Sequence, residues 1–285
     1  MRLDQQIERL RQCRHETLEA EVAQKRVAWF KQRYGEEARG LLPSPRRAYE
    51  LLLLEYLRIP EAQVPVVSET DTAIEWLSVN DCPTIEACRR LDLDTRTVCR
   101  AVYEKPTQAL LSQLDPQLRF HRSYQEIRPY SPHCREKVVR VDFAQMMRLA
   151  IDEARTSQAE GNKGYGAVVV MEGTVVGKAH DTATTGQDPS QHAEVNAIHQ
   201  AIKALRDSDL CGTVLFSTCE PCPMCSSLAV WANVTTIVYG ASIEMTALLG
   251  RSRIRVGARE IAERSPALVE VIGDVLKDEC LALYM

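Results

Sequence analysis

The apolar positions of this chain change their period part-way along. Before residue 128 they recur mainly at helical spacing. Ile7, Leu10, Leu18, Val22, Val27 and Phe30 predict a long, largely polar helix over residues 2–35. Pro45 is placed to start a second helix at Arg46–Leu57. Shorter helices are predicted at Thr70–Leu77, Thr84–Leu91 and Pro106–Leu114, and Leu118–Ile127 alternates as a strand. Arg128-Pro129-Tyr130-Ser131-Pro132 then breaks the pattern. A boundary there divides the chain into a mostly helical N-terminal domain, 1–137, and a second domain, 138–285.

In the second domain, strands alternate with helices. Phe143–Arg155 predicts an amphipathic helix. Gly166–Met171 and Thr174–Ala179 flank Glu172-Gly173 as a hairpin. Helices at Gln191–Leu205 and Cys222–Trp231 alternate with strands at Thr213–Ser217, Thr235–Tyr239 and Leu268–Ile272. That order implies an α/β layered domain whose later strands are parallel.

Composition adds little to this picture and charge adds more. A hydrophobic share of 45% and a charged share of 26% are ordinary for a globular chain of 285 residues. Residues 1–140 carry 23 basic and 21 acidic side chains, a balance of +2, and residues 141–285 carry 12 and 18, a balance of −6. An acidic second half lacks the basic stripe that a polyanion requires, so nucleic acid is not the expected partner. Its one basic run, Arg251, Arg253 and Arg255, reads as a solvated face. The chain starts without an apolar signal region, and no apolar run approaches membrane-spanning length. With ten cysteines in so long a chain, free thiols in a reducing, cytoplasmic compartment are expected rather than a disulfide framework.

The candidate chemistry lies in two short stretches. His192-Ala193-Glu194 is followed about thirty residues later by Pro221-Cys222-Pro223-Met224-Cys225. A His, a Glu two residues on and a later Pro-Cys-x-x-Cys form the signature of zinc deaminases. His192, Cys222 and Cys225 supply three ligands suited to Zn2+, leaving the fourth position to water as a catalytic site requires. Asp188 is expected to cap the helix carrying His192, with Pro189 in its first turn. Cys222 and Cys225, three apart at a helix start, share a face and gain thiolate character there. Glu194 is then the general acid and base, carrying a proton from water to a ring nitrogen and to departing ammonia. The plainer reading is a structural zinc site, with Cys219 as its fourth ligand.

These two stretches resemble the cytidine and deoxycytidylate deaminase superfamily, nearest its guanine deaminase and tRNA adenosine deaminase branch. The matching words are Asp188-Pro189-x-x-His192-Ala193-Glu194-Val195-x-Ala197-Ile198 and Ser217-Thr218-Cys219-Glu220-Pro221-Cys222-Pro223-Met224-Cys225, and the resemblance covers roughly residues 141–250. It implies a three-layer α/β/α domain with a mixed five-stranded sheet, Zn2+ as cofactor and a homodimer. It also implies substrate contacts at Ala193 and at Asp181, where the family normally has Asn eleven residues before the zinc His. An ionised Asp only accepts hydrogen bonds, so Asp181 favours a ring edge presenting N–H donors. The activity implied is hydrolysis of the exocyclic amine of a small purine, pyrimidine or related amino-heterocycle, as free base or nucleoside and guanine-like first. An RNA-editing deaminase and a zinc-stabilised ligand-binding or scaffold protein stay as alternatives. In the N-terminal domain, the spacing of Cys82, Cys88, Cys99 and Cys134 resembles 2-aminothiazoline-4-carboxylate hydrolase-like domains. Those cysteines read as buried free thiols, and the domain's role is unknown.

Overall fold

A computed structural model describes residues 3–35 and 42–285. These residues form two compact units that divide after Val141.

In the first unit the predicted long helix is two: α1 (Leu3–Gln12) and α2 (His15–Tyr34). Its expected first residue, Arg2, lies outside the described residues. Arg14 is extended, with ψ 149°, and breaks the run. The break lets α1 pack on α4 (Pro83–Leu91) while α2 packs on α6 (Lys105–Leu111). Between them, α3 (Pro45–Tyr49) continues as a π-helical turn over Glu50–Tyr56, and α5 (Thr95–Cys99) continues likewise over Arg100–Glu104. Ser44 caps α3 through Arg47 N, and Pro45 stands in its first turn, as the sequence suggests.

A four-stranded antiparallel sheet accompanies these helices. Its strands are β1 (Val66–Glu69), β2 (Ala73–Ser78), β3 (Leu118–Arg122) and β4 (Cys134–Arg140), in the order β1-β2-β4-β3. Two departures from the sequence reading follow. The segment expected to be a helix at Thr70–Leu77 is a hairpin turn and β2, in which Ile74, Trp76 and Ser78 point inward with period two. Thr70 Oγ1 accepts from the N–H groups of Thr72 and Ala73 and closes that turn. The expected boundary at 137/138 cuts through β4, which pairs with β2 and β3 and belongs wholly to this unit. The inward positions of β4 are Cys134, Glu136 and Val138. A buried carboxylate in the middle hides the alternation from a hydropathy reading.

The second unit carries the expected mixed five-stranded sheet. Helix α7 (Phe143–Ala159) leads into β5 (Gly166–Met171) and β6 (Thr174–His180). Then come α8 (Ala193–Leu205), β7 (Val214–Cys219), α9 (Pro223–Trp231) and β8 (Thr236–Ala241). Helices α10 (Ile243–Leu248) and α11 (Ala258–Arg264), strand β9 (Glu270–Ile272) and α12 (Lys277–Leu281) complete it. The strand order is β6-β5-β7-β8-β9, with β5 antiparallel to both neighbours and β7, β8 and β9 parallel.

Alternation along the strands divides the core into two faces. Ala167, Val169, Leu215, Ile237 and Val271 pack against α8, α9 and α11. On the other face Phe143 of α7 meets Phe216 of β7 edge to face. Helix α8 approaches unusually close. It presents Ala193, Ala197 and Ala201 to the sheet, and a Cβ on Gly177 of β6 would lie 2.2 Å from the Ala197 carbonyl oxygen. Small residues on both surfaces therefore fix the depth at which the first turn of α8 meets the strand ends.

Candidate active site

The helix carrying His192 starts later than the sequence suggests. Asp188 does not cap it. Asp188 Oδ1 instead accepts from Ser190 N and Ser190 Oγ and closes a local turn, and His192 itself takes the extended N-cap position. Ala193 is the first residue of α8 and Glu194 lies in its first turn, both buried. Cys222 occupies the corresponding N-cap of α9, with Pro223 starting the helix and Cys225 one turn in. Two helix N-termini thus meet at the ends of β6 and β7.

Their side chains form a compact donor set. His192 Nδ1 lies 3.7 Å from Cys222 Sγ and 3.5 Å from Cys225 Sγ, and the two sulfurs are 3.6 Å apart. A tetrahedral zinc ion with bonds of about 2.3 Å to sulfur and 2.0–2.1 Å to nitrogen needs donor separations of about 3.5–3.8 Å, so the set fits zinc. The hydrogen bond to Cys225 draws the Cys222 thiol down to about 4, and the same bond with burial raises Cys225. The hydrogen bond to Cys222 raises the His192 imidazole above its ordinary range. Cys222 is therefore a thiolate, the form a metal takes.

Cys219 is not the fourth member. It stands outside the group of potential ligands found among the described residues, and its sulfur contacts Thr246 Oγ1 at 3.7 Å and Arg253 Nη2 at 3.2 Å. Burial pushes its thiol up to about 11, so it stays protonated. Three protein donors, not four, distinguish this arrangement from a closed structural site.

Glu194 lies beside the donor set. Its burial raises the carboxyl above the usual carboxylate range, and the nearby Cys222 charge adds to this. Ser217 Oγ, at the end of β7, donates to Glu194 Oε1 at 3.1 Å and fixes the rotation of the carboxylate. Asp181 follows β6 and is wholly buried. Its Oδ1 accepts from Ala183 N at 3.3 Å, whereas Oδ2 is buried without a partner. Its charge acts on both His192 and Tyr165, which places it among these groups.

Two further residues belong to this neighbourhood, and no local signal in the sequence places them there. Arg253 is no solvated side chain. Its Nη2 donates to Tyr165 Oη at 2.7 Å and its Nε to Thr246 Oγ1 at 3.1 Å, while its guanidinium lies 4.7 Å from the centre of the Tyr165 ring. The Tyr284 ring sits 5.2 Å from that of Tyr165, and its hydroxyl meets Thr218 Oγ1 at 2.9 Å. No local motif marks Arg253 or Tyr284, because tertiary contacts alone bring them in. Glu244 is exposed in the first turn of α10.

Residues 141–241 match the cytidine and deoxycytidylate deaminase zinc-binding region. The tRNA-specific adenosine deaminase of Bacillus subtilis (strain 168) is 35% identical over 134 residues, covering 47% of this chain and 81% of that relative. The chain belongs to the cytidine and deoxycytidylate deaminase family. A guanine deaminase of the same bacterium is 40% identical over 77 residues, 27% of this chain and 49% of its own length. A probable cytosine deaminase of Schizosaccharomyces pombe (strain 972 / ATCC 24843) is 28% identical over 140 residues, 47% of this chain and 85% of that protein. The family makes this chain a hydrolytic deaminase with zinc as its metal.

The geometry predicts a sharp contrast between neighbouring cysteines. Cys222→Ala loses most of its zinc, and Cys219→Ala retains about one zinc per chain. Elemental analysis of the two purified variants checks this.

Proposed function

We propose that this chain removes the exocyclic amine of a small amino-heterocycle, a guanine-like free base or nucleoside, by zinc-dependent hydrolysis. His192, Cys222 and Cys225 hold the metal, Glu194 moves the protons, and Asp181 with the backbone N–H of Ala193 holds the ring. The observation that carries the substrate class is the partnerless, buried Oδ2 of Asp181. A buried acceptor without a partner costs roughly 1–3 kcal/mol. A ring N–H or amino donor supplies the missing bond.

The overall balance is water plus an amino-substituted ring carbon giving a ring carbonyl and ammonia. When bound, zinc supplies Lewis acidity that brings the pKa of water towards neutrality. Glu194 accepts a proton from water at its carboxylate. It delivers that proton to the ring nitrogen beside the reacting carbon as the water oxygen bonds to that carbon, then takes the remaining proton of that oxygen and passes it to the amine as the C–N bond breaks and the carbonyl forms. Burial suits it to both tasks, because a raised carboxyl pKa makes it a better base and lets it hold the proton between transfers. Ser217 keeps the carboxylate in one orientation throughout. Ala193, first in α8, offers an N–H with no acceptor in its own helix.

A second reading, adenosine deamination in tRNA, is favoured by the tRNA-specific relative that aligns over most of its own length. The −6 balance of residues 141–285 opposes it. The thiolate ligands and ten free cysteines suit a reducing compartment, and cytoplasm is the location proposed. No described helix is long and apolar enough to cross a membrane.

We also infer self-association through α9. Trp231 at its end is 82% exposed, and Met224 in its first turn is exposed as well. Large apolar side chains left open on a helix that carries metal ligands fit an interface between copies. Light scattering after size exclusion should give a dimer or larger for the native chain and a monomer for Trp231→Glu.

Glu194→Gln should retain zinc and fold and lose about 10²–10⁴ in turnover, the usual worth of general acid–base catalysis. Stopped assays of ammonia release, beside elemental analysis, measure both. The substrate reading is tested by ammonia release from guanine, adenine, cytosine, their nucleosides, pterins and an anticodon-loop RNA. We expect turnover of a small heterocycle, little dependence on salt, and a preference order altered by Asp181→Asn. Activity confined to the RNA, falling steeply between about 50 and 200 mM salt, supports the tRNA reading instead.

A further inference from the structure

The first unit holds a half-open cavity of about 120 Å³. That space holds about four waters, and a cavity of about 150 Å³ takes a benzene ring, so it is on the scale of a small one-ring acid. Leu53, Ile85 and Ile127 supply part of an apolar wall, and the charged lining is Arg26, Arg122, Arg128 and Glu136.

The arginines are only partly neutralised within the cavity, where Glu136 pairs with Arg122. Glu136 accepts from Trp76 Nε1 at 3.0 Å, from Ser78 Oγ at 2.7 Å and from Arg122 Nε at 2.8 Å, so both of its oxygens are engaged. Three guanidinium groups against one carboxylate leave a lining charge of +2. Each guanidinium also keeps a buried N–H without a partner: Nε of Arg26, Nη1 of Arg122 and Nε of Arg128. Arg26 is the most enclosed at 6% exposure, and its partners, the Thr107 hydroxyl and the Tyr56 side chain, are neutral. Arg128 donates to the backbone oxygen and side chain of Asn80, which are also neutral.

A buried guanidinium is costly unless it is paired. Water can satisfy an N–H but does not balance two charges. A carboxylate satisfies N–H groups and offsets one charge, a phosphate monoester offsets up to two, and the forked donors of arginine suit the oxygens of either. The apolar wall adds room for a hydrocarbon body behind the charged head.

We propose that this cavity binds a small organic oxyanion with an apolar body, its charged head held by Arg26, Arg122 and Arg128. The site lies wholly within the first unit and uses none of the deaminase residues. The N-terminal domain is thus a ligand-binding module.

Calorimetric titration of the full, zinc-loaded chain with phenyl phosphate, benzoate and neutral benzyl alcohol tests it. The expected result is saturable binding of at least one anion with a Kd at or below about 1 mM, and no comparable binding of the alcohol. Arg26→Met removes a donor and keeps the side-chain bulk, and should weaken the anion about tenfold or more while zinc content is unchanged. Arg128→Gln, on the more exposed side of the cavity, is the second variant and should do the same. The proposal is overturned if neither anion binds by about 10 mM, if the alcohol binds as well as the anions, or if both variants bind like the native chain.

Discussion

Helices α8 and α9 begin so close together that a ligand atom on one lies 3.5 and 3.7 Å from two on the other. The rest of the candidate site depends on this convergence. It needs α8 pressed deeply onto the sheet, which the alanine stripe and Gly177 allow. It also needs His192 and Cys222 at N-cap positions, where an extended backbone turns the side chain across the end of the helix. Glu194 follows from the same geometry. Two residues into α8, it is carried to Ser217 of the central strand β7, buried beside the donor set.

The two units both bury charge, and do so differently. In the deaminase unit the carboxylates of Glu194 and Asp181 are buried, and both act electrostatically on His192. In the N-terminal unit the charged groups that line one cavity are positive in excess. Burying charge opposes folding unless something compensates it. In the proposed function a metal and a ring with donors compensate the first, and in the proposed anion site an oxyanion compensates the second.

Legibility in the sequence followed the range of the interactions. The ligand words, the later parallel strands and the hairpin at Glu172-Gly173 rest on local spacing, and they stand out in the linear text. The start of α8 was misjudged because Asp188 can cap a helix or close a turn, and only the extended backbone at His192 decides between them. The N-terminal sheet was largely missed. Its β4 alternates Cys134, Glu136 and Val138 inward, and a carboxylate there looks like a surface position. Arg253 read as a solvated charge because its partners Tyr165, Thr246 and Cys219 come from three other elements. Tyr284 joins the same group from the far end of the chain.

X-ray absorption at the zinc edge of the native protein tests the central claim most directly. The account predicts two sulfur neighbours at about 2.3 Å and two nitrogen or oxygen neighbours at about 2.0–2.1 Å, one of them from solvent. Three sulfurs in the shell would bring Cys219 into it, close the site with protein ligands and contradict a catalytic role for the metal.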